Sequence, residues 1–284
     1  MSYLERIVEC NRYNDDDYGY FYDHKKRLLA RPEKSFIDRL LSDYGDVFVG
    51  SQPYHIALHH RLDSFDKRTK AIQHTLQDIQ KKHQLFPKWR NENFRASVDF
   101  YEDAEFHLER GAVAHFGLKA WGVFINGYVK KPEGLYIWVA KRSKNKPSWP
   151  SKLDQIVGGG QPADLSPFEN IIKEAKEEAN IPYELAIQAQ AVSAITYNVN
   201  WDGLHRDEMF IYDLELPEDF TPIPNDGEVE SFTLMHYRDV ADIVQNTKDF
   251  KANSAMVIID FFIRHNIITP EHHEYINIIK ALRK

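Results

Sequence analysis

The spacing of hydrophobic and polar residues changes near residue 116. Before that point, apolar residues recur at intervals typical of helices, and a serine and an aspartate stand where two helices, residues 64–82 and 103–114, would begin. After it, short runs of β-branched and aromatic residues are typical of strands. We therefore predict an α-rich N-terminal α/β domain at residues 1–116 and a second domain at residues 117–284.

The second domain mixes strands with helices. Segments 121–129 and 135–140 flank a Lys-Lys-Pro-Glu-Gly sequence, which predicts a hairpin with a five-residue loop. A helical pattern at 167–179 lies between strand patterns, and the last helical pattern is opened by Thr269 and Pro270. Together these elements predict an α+β fold. The remaining predicted strands are 191–197, 208–216 and 230–236, and the remaining predicted helices are 254–265 and 270–282.

The composition is that of a globular protein with room for two domains. The chain has 284 residues, of which 43% are hydrophobic and 28% are charged. Its net charge of −7 is spread along the chain without a basic arm, which argues against a nucleic-acid partner and favours a small-molecule one. The single cysteine, Cys10, excludes an internal disulfide and a zinc site built from cysteines.

The sequence contains no segment that predicts a membrane-spanning helix. The longest apolar run, residues 256–263, is shorter than the ~18 to 20 residues that cross a bilayer, and it contains Asp260. Acidic residues stand early in the chain, unlike the leader of a secreted or organelle-targeted protein. We expect no membrane partner and a cytoplasmic location, with the protein either a monomer or a homodimer.

Both ends of the first helix in the second domain are marked in the sequence. Ser166 and Glu169 form a capping box, and Pro167 occupies the first helical position, where a missing N–H costs little. Asn180, followed closely by Pro182, is a suitable left-handed stop. Because these signals fix the helical register, the residues on each face of the helix are assigned from the sequence.

Three carboxylates gather on one side of this helix. Glu174, Glu177 and Glu178 fall within an arc of about 100° beside the apolar stripe. Glu174 and Glu178 are four residues apart, where like charges repel by roughly 0.2 to 0.5 kcal/mol. Two interpretations follow: an acidic face in solvent, partly neutralised by neighbouring lysines, or a site for a hard cation such as Mg²⁺. The glycine run at 158–160 permits the close backbone approach that a metal or phosphate site requires.

These residues resemble the Nudix box, in which a glycine loop precedes a helix with one glutamate and then two adjacent ones. Glu174, Glu177 and Glu178 match the metal-binding glutamates of that family. The resemblance implies a Nudix fold, with a mixed β-sheet between helices, and a diphosphohydrolase that uses Mg²⁺, or alternatively Mn²⁺. We expect a backbone carbonyl of the glycine run, at Gly159, to complete the ligands. The sequence departs from the box at Lys173 in place of arginine, Asn180 in place of glycine and Leu165 in place of the first glutamate.

The metal hypothesis leaves three carboxylates as candidates for the general base. Glu177 or Glu178 would act through the metal shell, whereas Glu228 would act from the Asp-Gly-Glu turn at 226–228. The alternative role for Glu228 is to stabilise that turn. We expect Lys173, one turn or less from the glutamates, to orient them rather than to contact substrate.

Aromatic and basic residues outside the helix are candidates for substrate contact. Tyr197 and Trp201 follow a strand and would stack on a ring of the substrate; the alternative is core packing. Arg142 leads a basic loop with Lys144 and Lys146, which would meet phosphate; the alternative is a loop in solvent.

Several further segments indicate, when taken together, which subgroup of this family the sequence resembles. They lie at 86–92, 108–111, 116–117, 125–129, 149–160, 212–217 and 224–229. Together they resemble one Nudix subgroup, related to the domain fused to thiamin pyrophosphokinase in some fungi. The resemblance implies removal of the terminal phosphate from thiamin diphosphate and, preferentially, from its oxidised or toxic analogues, oxythiamin and oxothiamin diphosphate. The products would be the monophosphate and phosphate, so the activity would be metabolite repair.

Two other functions remain open at this stage. The metal helix recognises only a diphosphate, so a Nudix pyrophosphatase of ADP-ribose or NADH is a second enzyme hypothesis. Leu165 and Lys173 also allow a Nudix-like module that binds a ligand without catalysis.

Overall fold

The computed structural model describes residues 2–86 and 89–284, so Pro87 and Lys88 of the 86–92 segment lie outside the described residues. The N-terminal half contains helices and short strands: α1 (Tyr3–Glu9), β1 (Tyr20–Tyr22), β2 (Leu28–Ala30), α2 (Lys34–Asp43), β3 (Phe48–Gln52), β4 (His55–Leu58), α3 (Phe65–His83), β5 (Asn93–Ala96), β6 (Phe106–Glu109) and α4 (Val113–Phe116).

The C-terminal half has longer strands. Its elements are β7 (Lys119–Lys131), β8 (Gly134–Arg142), β9 (Leu153–Asp154), β10 (Val157–Gly160), α5 (Pro167–Ala179), α6 (Tyr183–Ala186), β11 (Gln190–Asn200), β12 (Leu204–Glu215), β13 (Val229–His236), α7 (Tyr237–Asn246), α8 (Ala252–Arg264) and α9 (Tyr275–Ala281). None of the described helices is long and apolar enough to cross a bilayer.

The C-terminal half is built on a mixed sheet in the order β11-β12-β7-β8-β13, with β10 beside β7 and β9 beside β8. β12 runs parallel to β7, whereas β10 and β8 run antiparallel to it. Successive residues of β7 face opposite sides: Val123 packs against Ile171 of α5, and Phe124 packs in the core that contains α8. The predicted α+β fold, with a mixed sheet between helices, is confirmed.

The N-terminal half has its own core beneath a sheet in the order β2-β1-β4-β3 and the β5-β6 hairpin. Phe21, Phe48 and Phe116 lie at its centre, together with Leu76 of α3. Backbone contacts join this half to the other: Ala30 bridges to Leu118, and the N–H of Ala163 donates to the carbonyl of Asn93 at 3.1 Å.

The first helix, α1, packs away from the N-terminal core. Tyr3 and Ile7 are buried among the residues of α8 and α9. The guanidinium of Arg6, which is 1% exposed, donates to the carbonyl of Phe250 at 3.1 Å. The division into residues 1–116 and 117–284 stays a prediction, and α1 lies before that boundary but belongs to the core after it.

Several element predictions are confirmed, and three are corrected. The helix predicted at 103–114 is wrong, because Phe106 and Leu108 alternate into the core as part of β6, which pairs with β5. The hairpin after β7 has a two-residue loop, since the strand continues through Lys131, which pairs with Gly134. The final helix begins at Tyr275 rather than at residue 270, because Thr269 and His272 close successive turns instead.

Candidate active site

The helix α5 has the ends that its sequence predicts. The hydroxyl of Ser166 accepts from the N–H of Glu169 at 3.2 Å, and the carboxylate of Glu169 accepts from the N–H of Ser166 at 2.8 Å. Asn180 adopts a left-handed conformation, with φ of 50°. Ile171 and Ala175 are fully buried against the sheet, so the apolar stripe predicted from the sequence is the buried face of α5. Glu169 is therefore a capping residue, and the acidic arc lies further along the helix.

Two of the three glutamates on this arc enter a cavity. Glu178 is 6% exposed, and its carboxylate accepts from the backbone N–H of Gly158 at 2.8 Å. The side chain of Glu174 is 14% exposed and also lines the cavity. The side chain of Glu177 is 49% exposed and lies outside the cavity lining. The ammonium of Lys173 bonds Glu174 at 3.0 Å and Glu177 at 2.7 Å, so it holds this pair together.

The glycine run lies in β10. Glycine is required there because a larger side chain would clash with neighbouring side chains, and not because the backbone adopts a positive φ. A Cβ added to Gly159 would lie 2.5 Å from the carboxyl carbon of Glu174, and one added to Gly158 would lie 2.5 Å from the ring of Phe124. Real Cβ atoms essentially never come that close to another heavy atom. The missing side chain of Gly159 therefore leaves the space that the Glu174 carboxylate occupies.

The loop before β13 brings further carboxylates to the helix. Asp226 accepts from the N–H of Glu228 at 2.8 Å and so shapes the predicted turn. Single carboxylate oxygens of Glu178, Asp226 and Glu228 all lie within 4.8 Å of one another. Lys146 pairs with Glu228. The structure thus joins Glu228 to the glutamate helix, and it adds Asp226, which the sequence signalled only as a turn residue.

Burial raises the free energy of the charged forms of the helix carboxylates. It raises the pKa of Glu178 to about 8, and the negative charges of Glu174 and Asp154 add to this effect. Burial also raises the pKa of Glu174, although Lys173 opposes it. Burial alone would raise the pKa of Glu228, but the Lys146 ammonium holds that pKa below its usual range. An oxygen-only donor set with uncompensated buried charge fits a hard divalent cation.

The cavity has a volume of about 480 Å³, which is within the range of small-molecule sites. It lies where the two halves of the chain meet. The N-terminal half contributes Arg90, Phe94 and Arg110 to its lining. No local pattern in the sequence indicated a role for these three residues, although Arg90 and Arg110 fall within segments that carried the subgroup resemblance.

An aromatic group lines another part of the cavity. Trp201, in the turn after β11, lies edge-on to Trp149 with 5.0 Å between ring centroids, and 5.1 Å from the ring of His205. Burial lowers the pKa of His205, but hydrogen bonds with Asp202 and Asp207 outweigh it and raise the pKa to about 9. Neither Trp149 nor His205 was foreseen as part of the site.

Tyr197 and Arg142 line the same cavity, but their polar atoms are already bonded to the protein. Tyr197 lies within β11 rather than in a loop; its hydroxyl donates to Asp207 and accepts from Asn253, both at 2.7 Å. The guanidinium of Arg142 bonds Asp154 and the carbonyl of Ser148, both at 2.9 Å. Arg142 therefore supports the loop that carries Trp149. The phosphate contact suggested for Arg142 by the sequence would require its guanidinium to leave these partners.

Comparison with known proteins places the chain in a family. A family model described as a domain of unknown function (DUF4743) matches residues 32–120. Nudix hydrolase 24 of Arabidopsis thaliana is 38% identical over 99% of this chain and 78% of its own length. The chain belongs to the Nudix hydrolase family. Nudix hydrolase 20 of the same plant is 36% identical over 99% of this chain and 78% of its own length.

Membership of the Nudix hydrolase family settles the class of reaction. The protein is a hydrolase that acts on pyrophosphate bonds, so the hypothesis of a module without catalysis is wrong. Nudix hydrolases generally use divalent metal ions. A solved Nudix domain of Shewanella oneidensis NrtR, complexed with ADP-ribose, is 13% identical over 54% of this chain and 91% of that one, with a TM-score of 0.41. That score is too low to bear on the substrate.

The expected cytoplasmic location is contradicted by the relatives. Both Arabidopsis proteins are named as chloroplastic, so the expectation of a cytoplasmic location is not upheld.

Proposed function

We propose that this Nudix hydrolase removes the terminal phosphate from thiamin diphosphate and, preferentially, from its oxidised or toxic analogues, oxythiamin and oxothiamin diphosphate. The products are the corresponding monophosphate and inorganic phosphate. The substrate assignment starts from the sequence segments that resemble the thiamin-related subgroup, and the shape of the cavity supports it.

The supporting observation is that one cavity contains both buried carboxylates and an aromatic wall. Glu174 and Glu178 suit the diphosphate end of a substrate through a bound cation. Trp149 and Trp201 line the same cavity and can contact a heteroaromatic group of the substrate.

The metal in this proposal is Mg²⁺, with Mn²⁺ as an alternative. The residues that would hold it are Glu174, Glu178 and, once released from Lys173, Glu177, with the carbonyl of Gly159. When bound, a divalent cation neutralises phosphate charge and lowers the pKa of water.

The chain's own residues position the reactants. The general base in this proposal is Glu228, whose carboxylate lies close to those of Glu178 and Asp226; Glu177 and Glu178 are the other candidates. Lys146 keeps Glu228 ionised, as a base requires. Lys173 orients Glu174 and Glu177. Phosphoryl transfer needs mainly such positioning and charge neutralisation.

A nucleoside diphosphate derivative is the second candidate substrate. The carboxylates of α5 recognise a diphosphate whatever group it carries. The Trp149–Trp201 pair would stack on adenine as readily as on the rings of thiamin. ADP-ribose and NADH therefore belong in the same test.

The test is phosphate release with Mg²⁺ from thiamin diphosphate, oxythiamin diphosphate, oxothiamin diphosphate, ADP-ribose and NADH. A phosphatase step is included for ADP-ribose and NADH, since their products are phosphomonoesters. We expect the highest kcat/KM for an oxidised thiamin diphosphate. Faster turnover of ADP-ribose than of every thiamin compound would overturn the substrate assignment.

Two matched variants of one helix control this experiment. Glu178→Gln keeps the side-chain shape and an oxygen for the Gly158 N–H, and we expect it to lose activity on every substrate. Glu169→Gln makes the same change outside the cavity and preserves the capping box, which accepts either residue, so it should retain activity. Equal activity of the two variants would contradict the placement of the site.

A further inference from the structure

The N-terminal half supplies a positively charged wall to the cavity. Arg90 and Arg110 both line it, on the side contributed by the β5-β6 hairpin and its flanking segments. A Cβ added to Gly160 would lie 3.1 Å from Nη2 of Arg110, so the guanidinium lies against the same short strand that carries Gly159. Cationic side chains and carboxylates therefore share one cavity at its glycine strand.

Both arginine side chains have N–H donors without an acceptor among the described residues. Nη1 of Arg110 donates to the carboxylate of Glu92 at 2.8 Å, and its Cζ lies over the ring of Phe94, 5.3 Å from the ring centroid. Its Nη2 donates to no group among residues 2–86 and 89–284. The side chain of Arg90 has no hydrogen-bond or ion-pair partner within those same ranges.

The backbone around both arginines is fixed by one buried acid. The carboxylate of Glu109, which is 5% exposed, accepts from the N–H of Arg90 at 2.7 Å and from the N–H of Gly111 at 3.1 Å. The N–H of Arg110 donates to the carbonyl of Glu92 at 2.9 Å. The positions from which the two side chains extend are thus held by the fold rather than by a flexible loop.

We propose that Arg90 and Arg110 bind the diphosphate oxygens of the substrate, opposite the carboxylates of α5. Guanidinium groups match phosphate oxygens in geometry and charge, and they keep their charge at any physiological pH. The N-terminal half is then part of the binding site rather than only a scaffold. This proposal rests on the proposed function for the presence of a diphosphate, but not for the identity of the attached group.

The experiment measures binding of methylenediphosphonate, a diphosphate that the enzyme cannot hydrolyse, by titration calorimetry with Mg²⁺ present. We expect Arg110→Ala and Arg90→Ala each to raise Kd by roughly 10- to 100-fold, the effect of one charge-assisted contact. Arg110→Lys should restore part of the affinity. Arg61→Ala, an exposed change elsewhere in the N-terminal half, should leave Kd unchanged.

A second variant separates binding from structure. Glu92→Gln removes the ion pair of Arg110 but keeps the guanidinium in the cavity. A binding role predicts that Glu92→Gln keeps the Kd of the wild type within about threefold, whereas a purely structural role predicts the same loss as Arg110→Ala. Wild-type affinity in both arginine variants, or equal losses in Glu92→Gln and Arg110→Ala, would overturn the proposal.

Failure of the proposed function would look different. If methylenediphosphonate bound in an arginine-dependent way while no thiamin compound was hydrolysed, the substrate assignment would fail and the arginine assignment would stand. If an oxidised thiamin diphosphate was hydrolysed with unchanged KM and kcat in both arginine variants, the substrate assignment would stand and the arginine assignment would fail.

Discussion

Glu178 illustrates how a single buried carboxylate couples metal binding to stability. In the absence of a cation its charge is opposed by burial and by Glu174. A ligand that binds only the folded state stabilises it by RT ln(1 + L/Kd), where L is the ligand concentration, so the melting temperature rises with that concentration. We expect Mg²⁺ to raise the melting temperature of the wild type and of Glu169→Gln, and removal of Mg²⁺ by a chelator to reverse the rise. Glu178→Gln should show little response, and a full response in that variant would exclude Glu178 as a ligand.

His205 gives a prediction about pH. Burial lowers its pKa, but Asp202 and Asp207 outweigh that effect and raise the pKa to about 9, from 6.5. A histidine with a raised pKa stabilises the fold fully below its unfolded pKa and loses that contribution as pH rises through about 9. The loss amounts to about 3 kcal/mol at most. Between pH 6 and 10, the fall in the free energy of unfolding by urea should be smaller by this amount in His205→Gln than in the wild type and in the exposed-site control His83→Gln.

At the scale of elements, the contact between β10 and α5 determines where the carboxylates lie. Gly159→Ala would place a Cβ within 2.5 Å of the Glu174 carboxyl carbon, so that side chain must move. We expect at least a tenfold loss of kcat, since displaced supporting groups cost roughly 10- to 100-fold at metal sites. Gly45→Ala, at an exposed glycine without such a close contact, is the control. Unchanged kcat in Gly159→Ala would show that Glu174 can shift without consequence.

The sequence predicted the elements whose signals are local. The ends of α5 follow from Ser166, Glu169 and Asn180, which act within one turn of the helix. The sequence did not predict elements that depend on residues far away in the chain. In β6, pairing with β5 overrides the helical signal of residues 103–114. In the site, spacing along α5 placed Glu174 and Glu178 together. Arg110 and Trp149 were missed because nothing in their local sequence shows which cavity the fold will bring them to.

At the scale of the whole molecule, the position of α1 predicts which helices are destabilised by a mutation in α1. Ile7 is fully buried, and its truncation to alanine should cost roughly 2 to 5 kcal/mol. Hydrogen exchange should then speed up in α8 and α9, because these helices surround Ile7. Ile37→Ala, at an equally buried site in α2, should instead affect α2 and α3. The same pattern of exchange in both variants would mean that the two cores do not respond separately.

The packing of α1 on α8 and α9 also has a consequence for synthesis on the ribosome. The helix α1 is synthesised more than 200 residues before α8 and α9, the helices that bury Tyr3 and Ile7. The N-terminal core can form meanwhile, since domains fold in order of their synthesis. The apolar face of α1 therefore needs protection, by a chaperone or by transient contacts, until α8 and α9 have been synthesised. A chain released early would expose that face and would lack the core on which the catalytic sheet rests.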